Sequence, residues 1–229
     1  MENVKVAIFD LDGVIVDTAK YHYLAWKRLA DELKIDFTLE DNERLKGVSR
    51  MKSLEIILEI GNQILDQGAK DALAEKKNNW YKEYIEKMDE SELLKGTKEL
   101  IESIKETGIK VVLGSASKNA MLILTKVNIL HYFDAVIDGT KVKNAKPDPE
   151  VFLLGAKAVG AKAKDCIVFE DAQAGIEAAH RAGMIAVGVG ESDTLKNSDY
   201  QVSGLYEMSL EKFNFLLESK QLSKKKLAV

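Results

Sequence analysis

The chain has 229 residues, enough for one large domain or a main domain with a smaller companion. Its 46% apolar and 31% charged residues give a globular balance and exclude an intrinsically disordered chain. The formal charge is −4, from 33 basic and 37 acidic residues, so no overall positive field draws the protein to nucleic acid or an anionic membrane.

Val4–Phe9 is a short apolar run rich in β-branched residues, the pattern of a buried strand. The sequence has no apolar signal segment ahead of it and no later window apolar enough to span a bilayer, so cytoplasmic residence is expected, with neither membrane nor nucleic-acid partners. The run leads directly into Asp10-Leu11-Asp12-Gly13, two acids at a strand end followed by a residue suited to a sharp turn. Like charges about 4 Å apart at an effective dielectric near 20 repel by about 4 kcal/mol, which favours a bound cation or a shared proton. Standing alone, these residues fit a polar turn capping the next helix equally well.

From about residue 17 to about 92 the pattern is helical and contains no strand. Tyr23, Trp26, Ala30 and Leu33 fall on one helix face; Trp80, Tyr81, Tyr84, Ile85 and Met88 fall on another. An insertion directly after a first strand would overhang the carboxyl edge of a sheet, where open α/β folds bind ligands. A helical cap over 17–92 is therefore expected, inserted into a catalytic core of 1–16 and 93–229, with Glu92–Lys95 and Gly96 suiting either a return hinge or a plain loop. Inside the insertion, Leu45-Lys46-Gly47-Val48-Ser49-Arg50 places two cations around a glycine, which suits a phosphate clamp or a helix-capping loop.

Beyond the insertion, strand-like runs at Val111–Gly114, Ala135–Ile137, Ile167–Phe169 and Ile185–Val189 alternate with helical stretches such as Leu100-Ile101-Ile104 and Val151-Phe152-Leu154. This alternation predicts an α/β fold, a Rossmann-like parallel sheet joined by right-handed crossovers. Ser115-Ala116-Ser117-Lys118-Asn119 follows the strand ending at Gly114 and offers hydroxyls, backbone donors and an ammonium to phosphate oxygens. Ser117 by itself reads as a helix N-cap. Lys146-Pro147-Asp148-Pro149 sets a lysine ahead of a helix started by an Asp cap and a first-position proline. Glu170-Asp171 ends a later strand, and parallel pairing would gather four carboxyl groups at one edge. Oxygen donors without histidine or cysteine suit a hard cation such as magnesium. The single cysteine, Cys166, cannot form an internal disulfide and reads as a small buried hydrophobe, and Lys224-Lys225-Lys226 reads as a solvated tail.

Taken in order, Asp10-Leu11-Asp12-Gly13, Ser115, Lys146 and Glu170-Asp171 resemble the four motifs of the haloacid dehalogenase-like phosphotransferases, over nearly the whole chain. The resemblance implies a magnesium-dependent phosphoryl-transfer enzyme in which Asp10 attacks phosphorus, Asp12 serves as general acid and base, and Ser115 and Lys146 steady the transferring group. It further implies magnesium held by the side chains of Asp10 and Asp171 and the backbone carbonyl of Asp12, with Glu170 acting directly or through an intervening ligand. The second aspartate argues against dehalogenation, because a departing alkoxide must be protonated.

Thr18, His22, Trp26, the Lys46–Arg50 loop and Ser115–Asn119 further resemble the β-phosphoglucomutase subgroup, which interconverts β-glucose 1-phosphate and glucose 6-phosphate. That likeness implies that Arg50, Ser117 and Asn119 bind the phosphate that is not transferred, with Lys118 nearby. Gly47, Val48, Ser49, Trp26 and Ala116 complete the expected substrate contacts, while Thr18 positions the acid/base and His22 and Lys46 couple cap closure to catalysis. Phospho-Asp10 would donate to a glucose monophosphate, giving glucose 1,6-bisphosphate, which serves as both intermediate and primer. A phosphatase keeps the same core if water reaches phospho-Asp10, and a non-catalytic sugar-phosphate-binding module keeps the same fold. A monomer is expected, and His131 and His180 match no motif position.

Overall fold

The computed structural model describes residues 4–45, 49–191, 193–195 and 197–226. The chain divides into two compact units, Met1–Asp17 with Asp89–Val229, and Thr18–Met88. The first unit holds β1 (Val6–Phe9), β2 (Lys110–Gly114), β3 (Ala135–Ile137), β4 (Cys166–Glu170), β5 (Ile185–Val189) and β6 (Tyr200–Val202). All pair in parallel, in the order β3-β2-β1-β4-β5-β6. Helices α1 (Ala19–Glu32), α2 (Leu39–Glu43), α3 (Arg50–Ile60) and α4 (Gln67–Ile85) make up the second unit. The first unit carries α5 (Thr97–Glu106), α6 (Ala120–Lys126), α7 (Glu150–Ala158), α8 (Gln173–Arg181) and α9 (Leu210–Lys226).

Strands β1 and β4 take the middle of the sheet because they are continuous apolar runs, buried at every position, that need cover on both faces. Their period of two sends Val6, Ile8, Cys166 and Val168 toward α7 and α8, into a core with Val151, Phe152, Ile176 and Ala179. The opposite face carries Phe9 and Phe169, whose rings stack at 4.7 Å, with Phe213 of α9 stacked on Phe169 at 6.5 Å. Sequence patterning does not find β6: its three residues, Tyr-Gln-Val, form an edge strand with a polar centre and no apolar run. Among the described residues, no helix is long and apolar enough to cross a membrane.

In the helical unit the buried stripe of α1 is Ala25, Trp26, Leu29 and Ala30, while Tyr23 and the capping Leu33 are only half-buried. Helix α4 buries Ala74, Lys77, Trp80, Tyr81 and Ile85, so a lysine occupies a core position of an otherwise apolar and aromatic row. Lys77 is 2% exposed. Its Nζ lies 2.8 Å from Nδ1 of His22 and sits over the rings of Trp26 at 4.5 Å and Tyr81 at 5.0 Å, while the His22 ring stacks on Tyr81 at 4.1 Å. Burial, and then the charge of Arg50, pushes the Lys77 ammonium down to about 7.

An unfolded lysine keeps its proton up to about 10.5 whereas folded Lys77 gives it up from about 7, so within that window the unfolded state binds more protons and stability rises with pH. Lys77→Met is expected to remove this slope. The urea midpoint of the wild type should climb across the window more steeply than that of the variant, and parallel profiles would mean that Lys77 stays charged throughout. A second expectation concerns Gly96, which starts α5 at φ +85° with its missing Cβ only 2.2 Å from the backbone nitrogen of Tyr206. Gly96→Ala should cost at least about 2 kcal/mol, combining left-handed strain with a backbone clash, read as a lower urea midpoint at unchanged m.

Candidate active site

The ladder between β1 and β4 pairs Phe9 with Phe169, so Asp10 and Glu170 leave the sheet at the same height on neighbouring strands. The Asp10 N–H donates to the Phe169 carbonyl at 2.9 Å and keeps the two chains together past the last paired residues. One carboxylate oxygen from each of Asp10, Glu170 and Asp171 lies within 4.8 Å of the others. Asp10 and Glu170 are 7% and 2% exposed. Burial raises the Glu170 carboxyl above its ordinary range, and repulsion from Asp10 and Asp171 adds to this against the pull of Lys146. Asp171 moves the same way, through burial and then the charge of Asp10.

Lys146 answers part of that negative charge. Its ammonium donates to Oδ1 of Asp10 and, at 2.8 Å, to Oε2 of Glu170. Burial works against the ammonium, but the two carboxylates outweigh it and hold the pKa of Lys146 above the usual lysine value. One cation among three carboxyl groups leaves a site suited to a further hard cation, and its donors are all oxygen, so the residues fit magnesium.

Asp12 lies in the tight loop after β1, where the Gly13 N–H donates to the Val16 carbonyl at 2.8 Å. The Asp12 carboxylate is not part of the three-acid cluster. Gly13 adopts φ +79°, and a Cβ there would stand 2.0 Å from Oδ2 of Asp171, so the first loop lies directly against the last acid.

Ser115 directly follows β2 and is 1% exposed. Its N–H donates to the Ile137 carbonyl at 2.9 Å and its Oγ accepts from the Ser117 N–H at 3.1 Å. Ser117 is not the helix cap: α6 begins at Ala120 with Asn119 in the capping position, and the Ser117 hydroxyl accepts from the Asn119 N–H at 3.3 Å. Ala116 and Lys118 are exposed, and Ser117 and Asn119 half-buried. The Ser117 carbonyl accepts from the Gly139 N–H at 3.2 Å, tying this loop to the one that carries Lys146.

The start of α7 differs by one residue from the sequence expectation. Pro149 caps the helix, and Asp148 accepts from the Glu150 N–H at 2.9 Å. Glu150 itself turns back to accept from the N–H groups of Lys143 at 3.0 Å and Asn144 at 2.8 Å. Sequence reasoning missed this contact, although an acid directly after Lys-Pro-Asp-Pro was the available signal.

The helical unit carries the remaining expected residues. Thr18 is the N-cap of α1 and is 1% exposed. His22 and Trp26 flank Lys77 as described; the His22 residue is exposed overall, yet desolvation of its ring, and then the charges of Lys77 and Arg50, lower its pKa. Ser49 caps α3, accepting from the Lys52 N–H at 3.2 Å, and Arg50 opens that helix with an exposed side chain. Lys46, Gly47 and Val48 lie outside the described residues. Lys77 escaped the sequence reading; its signal was a lysine at helical spacing between Ala74 and Tyr81.

Comparison with known proteins agrees with this geometry. The family model for haloacid dehalogenase-like hydrolases matches residues 7–189. A β-phosphoglucomutase of Bacillus subtilis is 42% identical over 210 residues, covering 91% of this chain and 93% of that protein. A phosphorylated carbohydrates phosphatase of Thermotoga maritima is 33% identical over 186 residues, 79% of this chain and 82% of that protein. A crystal structure of β-phosphoglucomutase from Clostridium difficile superposes with a TM-score of 0.87 at 41% identity, covering 96% of this chain and 99% of that one. The matched span runs from the first strand through every clustered acid and Lys146, and on that ground the chain belongs to the haloacid dehalogenase-like hydrolase family.

Proposed function

We propose that this protein is a β-phosphoglucomutase that interconverts β-D-glucose 1-phosphate and D-glucose 6-phosphate through a phosphorylated Asp10. The observation that carries the chemistry is the Lys146 ammonium bridging Asp10 and Glu170 at the carboxyl edge of the sheet. It occupies one oxygen of Asp10, so the other is the one that attacks phosphorus. Ser115 already accepts a hydrogen bond at Oγ and keeps its own proton to donate to a phosphoryl oxygen. Asp12 protonates the departing sugar oxygen and later takes the proton from the attacking hydroxyl. A magnesium ion held by Asp10, Glu170, Asp171 and the backbone carbonyl of Asp12 would offset charge on the transferring phosphoryl group.

Transfer to a sugar hydroxyl is supported by the 42% identity to a β-phosphoglucomutase along nearly the whole chain. In this reading phospho-Asp10 gives glucose 1,6-bisphosphate, which turns over and returns its other phosphate, and the same bisphosphate primes the enzyme. Arg50, Ser117 and Asn119, with Lys118 nearby, hold the phosphate that stays, while Thr18, His22, Trp26 and Lys46 serve acid/base positioning and substrate contact. A sugar-phosphate phosphatase is the second reading, favoured by the 33% identical phosphatase.

Protein supplied with β-glucose 1-phosphate, magnesium and trace glucose 1,6-bisphosphate is expected to form glucose 6-phosphate. Stoichiometric inorganic phosphate without glucose 6-phosphate would reject the mutase in favour of the phosphatase. Asp10→Ala should lower turnover of every phosphate substrate by at least about 10⁴-fold, as loss of a covalent nucleophile does. Arg50→Ala should cut mutase activity by about 10- to 100-fold while sparing hydrolysis of a small aryl phosphate, and equal loss on both would remove Arg50 from phosphate recognition.

A further inference from the structure

Lys146 is a flexible point charge, and its burial between two carboxylates requires the backbone beneath it to be fixed. That backbone belongs to the long connection between β3 and α7, a kind of segment that is mobile unless tied down. Its first residues are secured by Asp138, whose Oδ1 accepts from the N–H of Thr140 at 2.9 Å and from its hydroxyl at 2.5 Å. Nearer to Lys146 the Asp148 N–H donates to the Ala145 carbonyl at 3.0 Å, and the side-chain tie is Glu150, because a single oxygen, Oε2, takes the N–H groups of both Lys143 and Asn144. An acid in the first turn of a helix ordinarily serves the helix's own unpaired donors, whereas here the carboxylate reaches back off α7 onto the loop. Arg181 adds a weaker contact to the Pro147 carbonyl at 3.4 Å.

We propose that Glu150 is a positioning residue for Lys146: by gripping the Lys143 and Asn144 N–H groups it holds the turn that aims the Lys146 ammonium between Asp10 and Glu170. Glu150 touches neither the clustered acids nor any reacting atom, so it acts only through Lys146. The kinetic part of the test rests on phosphoryl transfer through Asp10, while the labelling part does not.

The test is competitive acylation of lysines in the full-length protein, read by mass spectrometry, alongside hydrolysis of an aryl phosphate. Buried between two carboxylates, Lys146 should label far more slowly than a half-exposed lysine such as Lys98. In Glu150→Ala its labelling should rise severalfold while that of Lys98 stays unchanged, and kcat should fall by about tenfold with KM little altered, the scale expected for a displaced catalytic group. Glu150→Gln, which keeps an acceptor oxygen and disturbs folding less, should stay close to wild type in both readouts. In a Lys146→Ala background, Glu150→Ala should cost nothing more. Unchanged Lys146 labelling in Glu150→Ala, or an undiminished loss of activity in the Lys146→Ala background, would overturn the assignment. Faster labelling in a protein that turns over no phosphate would support the positioning role and refute phosphoryl transfer instead.

Discussion

Two carboxylates buried side by side at the end of a parallel ladder repel each other, and much of the surrounding structure is a response to that repulsion. The continuous apolar runs of β1 and β4 leave no freedom of register, because every residue of both is buried. Asp10 and Glu170 therefore emerge together, and Asp171 follows at once. Taking such charges out of water is expensive, and a single ammonium from Lys146 compensates only in part. What is left is a cluster of carboxyl oxygens suited to a divalent cation.

The parts of the fold legible in the sequence are those in which a local pattern and the tertiary structure demand the same thing. Strands β1 to β5 are short apolar runs, fully or largely buried except for β3, where only Ile137 is buried and Ala135 and Val136 are half-buried. The acids are legible because they abut strand ends, where a carboxylate has no place unless it does something. Edge strand β6 was not legible, since an edge needs little burial and so imposes little pattern. Lys77 was hidden for a different reason: a lysine in a helical stripe normally snorkels to water, and only its aromatic neighbours and His22 show that it stays inside. Glu150 was hidden because its partners are backbone N–H groups, whose direction depends on the path of a loop and not on residue type.

On the proposed mechanism, the residues that would separate a mutase from a phosphatase are not those that would make the covalent bond. On that mechanism Asp10, Asp12, Ser115 and Lys146 would serve either acceptor, and the relatives in this family include both a mutase and a phosphatase. The helical unit is the more informative place. A buried amine facing an imidazole, with two aromatic rings about it and the charge of Arg50 acting on both, is a poor choice for stability. Conflicts of that kind between local energetics and fold are typical of surfaces that handle ligands.

The contact between Gly13 and Asp171 has a consequence for how such a chain can be recombined. The two positions are far apart in sequence, yet the first loop and the last acid occupy adjoining volumes with no room for a methyl group between them. Segments exchanged with a relative would have to bring both partners from the same parent, since a first loop that follows a slightly different path would collide with Asp171 or leave a gap beside it. The chain's opening residues and its fourth motif thus form one heritable module, and a crossover placed anywhere between them divides it.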